Sequence, residues 1–570
     1  MKKKVIPAII IIALILIIGG IYAGQLYMQK YSYSSEKANL DEYFKVTSDN
    51  DVAIIHGNVR IDEKARNYDG RLYMEFSLVQ KLLNDRFYFG KADNALLYTL
   101  PDRVITAPVG GTTWTDSEGN TQDEGYTIAR MGDGADSDSL FVALDYVQKY
   151  TNFGYEFFDD GYHMQLDTVW EEETVATINK NTQIRLRGGV KSEVLEEVQK
   201  GDTVVVLEEL ENWSKVKSEN SFIGYVENKR LSDQTTRTPI PVTDYAEPEY
   251  TSISRDHKIN LGFHNLGGAG GNDTLEDYIA GTKSLNVISP TWFYISASDG
   301  TVSNIASKSY VDRAHNKGLE VWALFNNFNA GEGVSTSEAL STAENRARMI
   351  DAVVSECVNV GADGVNLDFE SIATEDGQNY TQFFRELSIA CRKNGLVLSI
   401  DNYVPMNFND HYNLKEQGVM ADYVIIMGYD EHYAGSAEAG SVASLGYVEN
   451  GIIKAVEKVD ASKVINAVPF YTRIWHTADG KLSSEAVSMQ IAKEYISNHN
   501  IQMTWDAETG QNYGEFTDGK GLHQIWMEDA ESMTQKIQSM QHHNIAGIAE
   551  WCLGMETGEI WDVIAGYING

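Results

Sequence analysis

Ala362-Asp363-Gly364-Val365-Asn366-Leu367-Asp368-Phe369-Glu370 alternates polar and apolar side chains over its second half. In an extended strand, Asn366, Asp368 and Glu370 then share one face, and Val365, Leu367 and Phe369 take the other. Alternate residues on one face stand about 6.6 Å apart. Three polar side chains on a buried face are costly unless they have partners or a purpose. Asp368 is expected to raise the proton affinity of Glu370 by like-charge repulsion, with desolvation adding to it. A carboxyl still protonated near neutral pH can act as a general acid.

Nearly continuous apolar runs lie on either side of this stretch, as parallel strands covered on both faces require. They fall at 259–263, 287–294 and 320–325 before it, and at 396–404, 423–429, 464–471 and 545–551 after it, with helical patterns between. Together with 364–370 they make eight strands, which predicts an α/β fold: a (β/α)₈ TIM barrel over 253–570. In such barrels the residues at the C-terminal ends of the strands do the chemistry. The stretch between the last two strands is too long for one helix. Its segments 504–506, 512–516 and 523–528 read as strands of a small α+β insertion.

Asp363-Gly364, Asp368 and Glu370 fit the D-G-x-x-x-D-x-E signature of glycoside hydrolase family 18, the chitinase family, which 253–570 resembles. Met427-Gly428-Tyr429-Asp430 is similar to its M-x-Y-D on strand six, Pro469-Phe470-Tyr471-Thr472-Arg473 to its strand-seven motif, and Trp551 to its strand-eight tryptophan. The run from Tyr429-Asp430-Glu431-His432-Tyr433 to Val442-Ala443-Ser444 is most similar to the bacterial branch acting on cell wall or spore cortex. The resemblance implies substrate-assisted retaining hydrolysis after N-acetylglucosamine, an exception to the two-carboxylate scheme. Glu370 would protonate the glycosidic oxygen while the sugar's 2-acetamido carbonyl attacks the anomeric carbon. Asp368 would orient that acetamide and steady the oxazolinium, Tyr429 would hydrogen-bond its oxygen, and Asp430 would support the same group. Trp551 would floor the distorted sugar, and Asn366, Met427, Tyr471 and Arg473 are carried with them as substrate-contacting positions. The substrate would be an N-acetylated polysaccharide (peptidoglycan or a chitin-like glycan), with no cofactor and no metal.

Two departures stand out. The family's middle acid is Asn366 here, which can neither share nor relay a proton. Strand three reads Trp322-Ala323-Leu324-Phe325-Asn326-Asn327, without the S-x-G-G common in chitinases. A catalytically silent glycan-binding barrel is the alternative, and the retained Glu370 argues against it.

Met1-Lys2-Lys3-Lys4 precedes an apolar run from 5 to 22, interrupted only by Pro7, Gly19 and Gly20. At ~1.5 Å per residue it is about long enough for a ~30 Å hydrocarbon core. Residues 1–24 are expected to form a single-pass anchor, its lysines inside by the positive-inside rule, leaving the rest extracytoplasmic. Cleavage near Ala23-Gly24-Gln25 would instead release the chain. A polar juxtamembrane spacer covers 25–45. An α+β stalk is expected over 46–168, where 72–81 and 140–149 repeat at an offset of 68 residues, each copy reading as a helix and two strands. It resembles the stalk-like domain named for the N-terminus of copper amine oxidases, though no histidine cluster accompanies it. Short strands over 172–234, with Ile184-Arg185-Leu186-Arg187, Trp213-Ser214-Lys215-Val216 and Gly224-Tyr225-Val226, resemble a small all-β bacterial SH3-like domain. Such modules often bind cell-wall peptide; a plain spacer is the other reading. Residues 235–252, with Pro239, Pro241 and Pro248, read as a linker. The balance of 46 Lys and Arg against 82 Asp and Glu, a net charge of −36, argues against nucleic acid. Cys357, Cys391 and Cys552 show no zinc-ligand spacing and are too few for a disulfide framework.

Overall fold

The computed structural model describes residues 2–232, 234–240, 245–328 and 333–570; residues 241–244 of the expected linker lie outside that set. The chain divides into two compact units, one centred on the C-terminal barrel and one on the N-terminal sheets.

The barrel strands are β1 Ile259–His264, β2 Val287–Ile295, β3 Glu320–Asn326, β4 Gly364–Asp368, β5 Val397–Tyr403, β6 Tyr423–Met427, β7 Val464–Pro469 and β8 Gly547–Trp551. Each is parallel to its neighbours, and β1 pairs with both β2 and β8, so among the described residues the eight close into a ring. This is the expected TIM barrel. Leu261, Phe263, Trp322, Leu324, Ile425, Ile465 and Ala549 fill the inside. Val365, Leu367, Phe369, Leu398 and Ile400 face outward onto the helices, in a layer with Val353, Phe383 and Leu387. β4 is delivered by helix Ala343–Val360. The Thr342 side chain accepts the Asn345 N–H at its start, and Gly361 ends it in the left-handed region (φ 80°) three residues before β4. Cys357, Cys391 and Cys552 are buried free thiols.

The insertion is a five-stranded sheet of Lys481–Ser488, Tyr471–Ala478, Gly521–Met527, Gln511–Asp518 and Thr504–Asp506. The sequence discloses the last three of these. It misses the hairpin Tyr471–Ala478/Lys481–Ser488, because Tyr471 continues an apolar run beyond β7. The signal was present in Asp479-Gly480, whose positive φ values (49° and 71°) suit a tight hairpin turn.

The same unit holds Tyr88–Thr106 and Trp114–Gln122. Tyr88, Leu97 and Val104 pack with Ile389, and Tyr88 donates to Asn379 Oδ1 at 2.7 Å. Beside them, Arg346 is fully buried and forks onto Glu386 at 2.9 and 3.0 Å.

In the other unit, helix Lys2–Tyr31 carries a 23-residue stretch, Ile9–Tyr31, that contains an 18-residue window with a mean hydropathy of 2.5, long and apolar enough to cross a membrane. A seven-stranded sheet follows, in which Gly154–Phe158 and His163–Asp167 lie beside Asp51–His56. A second seven-stranded sheet runs from Glu173–Thr177 to Ile223–Glu227 and gains Thr235–Arg237 as an edge strand on Glu173–Thr177. The two sheets share a core of Phe44, Ile55, Ile184, Val216 and Phe222. Trp213 and Tyr225 stay half-exposed.

Candidate active site

β4 ends with its polar face turned inward, as the alternation predicts. Asn366 and Asp368 are 0 % and 4 % exposed. Glu370 lies two residues beyond the strand, and its backbone is held on both sides by one amide: Asn327 Oδ1 accepts the Glu370 N–H at 2.9 Å, and Asn327 Nδ2 donates to the Glu370 carbonyl at 2.8 Å. Asn327 stands in the stretch noted above only for lacking S-x-G-G, so that departure brings a positioning group.

β5 supplies a second polar row that sequence reasoning did not single out. Asn366 Nδ2 donates to Ser399 Oγ and Asp401 Oδ1, both at 2.9 Å. Tyr403 donates its hydroxyl to Glu370 Oε2 at 2.7 Å. Asn366↔Ser399 and Leu367↔Ile400 lie side by side, which fixes this meeting of rows.

Tyr429 lies two residues beyond β6, close enough to Asp368, Asp401, Tyr471 and Glu370 to feel their charges. Its ring meets that of Tyr471 edge-on at 6.3 Å. Asp430 takes positive φ (57°) and accepts the Tyr471 hydroxyl at 2.5 Å. Met427 closes β6 and is buried. Trp551 closes β8, packs on the inner core, and has its ring 5.4 Å from that of Phe263. Arg473 sits further along the insertion hairpin, where it donates to Ser484 Oγ at 2.9 Å. The structure thus brings Asn366, Asp368, Glu370, Tyr429, Asp430 and Tyr471 to the C-terminal end of the barrel within reach of one another's charges, sets Met427 and Trp551 at the ends of β6 and β8, and ties Arg473 into the hairpin.

Burial drives the electrostatics. It pushes the Asp368 carboxyl well above the ordinary carboxylate range, and the charges of Asp401 and Glu370 push further. Asp401 is pushed up to about 8 by burial, with the hydrogen bond from Asn366 pulling back. Glu370 is raised first by burial and also by Asp430, against the Tyr403 hydroxyl, which lowers it. Asp368 and Glu370 repel one another as expected, and burial outweighs that repulsion on both carboxyls. Among the described residues no cluster of His, Cys, Asp or Glu is arranged to hold a metal ion.

A closed parallel barrel with an acidic, aromatic-rimmed mouth defines a glycosidase-type site. Residues 222–556, more than half of the chain, match Glycosyl hydrolases family 18, and residues 180–232 match the bacterial SH3 domain. The chain belongs to glycosyl hydrolase family 18 and is a glycoside hydrolase. It is 26 % identical to the uncharacterized glycosylase YvbX of Bacillus subtilis (strain 168) over 277 residues, 47 % of this chain and 80 % of that protein. It is 25 % identical over 234 residues to the cortical fragment-lytic enzyme of the same organism, covering 39 % of this chain and 54 % of the other. Among solved structures, the spore cortex-lytic enzyme SleL of Bacillus cereus superposes with a TM-score of 0.48 at 21 % identity, over 56 % of this chain and 76 % of that one.

Proposed function

We propose that this hydrolase cuts β-1,4 bonds after N-acetylglucosamine in peptidoglycan or a chitin-like glycan, with the sugar's own acetamide as nucleophile. Glu370 protonates the leaving oxygen and later takes the proton of the incoming water. Its burial favours the protonated form that the first step needs. Asp368 holds the acetamide N–H and balances the positive oxazolinium. Tyr429 donates to the acetamide oxygen, and Asp430, steadied by Tyr471, supports the same group. Trp551 offers an apolar floor to the distorted sugar; Asn366, Met427 and Arg473 are assigned to the surround.

One observation carries this reading: Asp368 is buried beside Glu370 on one inward face, with its Oδ1 lacking a partner among the described residues. That leaves an acceptor for an amide N–H. A second carboxylate nucleophile would need an oxygen free to reach the anomeric carbon, about 5–5.5 Å from the acid. Asp368 instead lies deep in the row, between Asn366 and Glu370.

In this reading helix Lys2–Tyr31 anchors the chain with its lysines inside. The repeat domain, of the copper-amine-oxidase stalk type, and the SH3-like domain hold the barrel within the wall. The name of the cortical fragment-lytic relative supports a cortex glycan as substrate. The test is release of reducing ends from purified peptidoglycan and from chitin oligosaccharides by the wild-type chain and Glu370→Gln. Release by the wild type alone supports the proposal, and equal signal from both defeats it.

A further inference from the structure

Asn366 spends both of its amide hydrogens away from Asp368. One goes to Ser399 and the other to Asp401, and an amide has only two to give. In the β4/β5 register, Asn366 opposes Ser399 and Leu367 opposes Ile400, so the next lateral pair is Asp368 and Asp401. Side chains so opposed on neighbouring parallel strands start about 4.8 Å apart. Both carboxyls face the barrel interior, and they are 4 % and 2 % exposed. The titratable groups around Asp401 are Asp368 and Glu370 from β4, Tyr429 beyond β6 and Tyr380 from helix Gly377–Lys393; its other neighbours, Asn366 and Ser399, are neutral. No cation is among them, so two negative charges side by side would be uncompensated.

We propose that Asp401 replaces the acid missing at position 366. Asp368 and Asp401 hold one proton between them, which lies on Asp368 in the empty site and passes to Asp401 when the sugar's acetamide engages Asp368. The amide of Asn366 favours the ionised form of Asp401, which puts the shared proton on Asp368 at rest. Developing positive charge on the acetamide carbon reverses that preference. The O–H bond of Asp368 breaks, one forms on Asp401, and no proton enters or leaves the pair. Hydrolysis of the oxazolinium removes the positive charge, and the proton returns. Asp401 is a positioning residue: it touches no substrate atom and acts by setting the charge of Asp368. The upward shifts of both carboxyls agree with one retained proton.

The inference rests on the acetamide-assisted reading, and the test separates the two. The full chain, Asp401→Asn, and the double variant Asn366→Asp/Asp401→Asn are assayed on chitin oligosaccharides and purified peptidoglycan across pH, with thermal melts as the fold control. Asp401→Asn is expected to lower kcat about 10–100-fold with KM within about twofold. The acid limb of its kcat profile moves to higher pH, because Asp368 ionises less readily without an acid O–H beside it. The double variant, with a carboxyl restored two residues before Asp368 and beside the place of Asp401, recovers most of kcat and the wild-type acid limb. An unchanged profile in Asp401→Asn, or no recovery in a folded double variant, overturns the proposal. If Asp401→Asn does not fold, the double variant decides alone against the wild type. A wild type inactive on both polymers overturns the underlying function; an active wild type with an indifferent Asp401→Asn overturns only this inference.

Discussion

β4 and β5 lie side by side and build the same site, yet only one shows its chemistry in the sequence. Along β4 and its exit, polar 366, 368 and 370 alternate cleanly with apolar 365, 367 and 369. Along β5, Ser399, Asp401 and Tyr403 face the site, but the outward Asn402 is polar too, exchanging hydrogen bonds with Gln417 behind the strand at 2.7 and 2.9 Å. That substitution turns an alternating strand into a run, Asp401-Asn402-Tyr403, that reads as a strand end. A polar row is legible where its opposite face is apolar. Where the opposite face has found a buried partner of its own, the row is hidden, and only lateral register reveals it.

Breaking the β4 row should cost most. Glu370→Gln removes the proposed proton donor, and turnover is expected to fall by about 10³–10⁴, measured as kcat on chitin oligosaccharides. Asn327→Ala frees the backbone that aims Glu370, and kcat should drop about 10–100-fold with KM little changed. Tyr403→Phe, on β5, deletes a hydrogen bond that lowers Glu370. The Glu370 carboxyl then rises, so the alkaline limb of the pH profile moves to higher pH, with only a few-fold change in kcat at the optimum. Asp401→Asn should also stabilise the fold in a pH-dependent way. Between the usual carboxylate pKa and about 8, the folded Asp368–Asp401 pair holds a proton that the unfolded chain has lost, and Asp401→Asn relieves the repulsion that keeps it there. Stability of the wild type therefore falls as pH rises through that window. Melting curves should show the variant higher by a few degrees near pH 8 and level with wild type near pH 4. Tyr88→Phe, outside the site, loses the bond it donates to Asn379 and the long one it accepts from buried Arg346, and should cost about 1–2 kcal/mol with kcat unchanged.

The eight barrel strands were legible because each is an apolar run of strand length followed by a helical pattern. Glu370, Asp368, Tyr429 and Asp430 were legible because they sit at strand ends within short motifs. Asp401, Tyr403 and the clamp by Asn327 were not, since each gains its role from a neighbour across a strand boundary, distant in the chain. The internal repeat shows the same limit. Both copies form the expected helix and strand pair, Phe76–Leu82 with Phe87–Gly90 and Ala95–Thr99, then Leu144–Gln148 with Gly154–Phe158 and His163–Asp167. The second pair joins the seven-stranded sheet beside Asp51–His56. In the first, Tyr88 bonds Asn379, and Leu97 packs with Ile389 of the barrel unit. Periodicity specified the elements; the buried surface each copy meets specified its partner.

The sharpest trial is a matched pair of glycosides, one of N-acetylglucosamine and one of glucosamine, hydrolysed by the wild-type chain while the anomer released is followed. Acetamide participation predicts that the N-acetyl compound is cut at least about 10²-fold faster, with retention of configuration. Comparable rates on both sugars, or an inverted product, would contradict it.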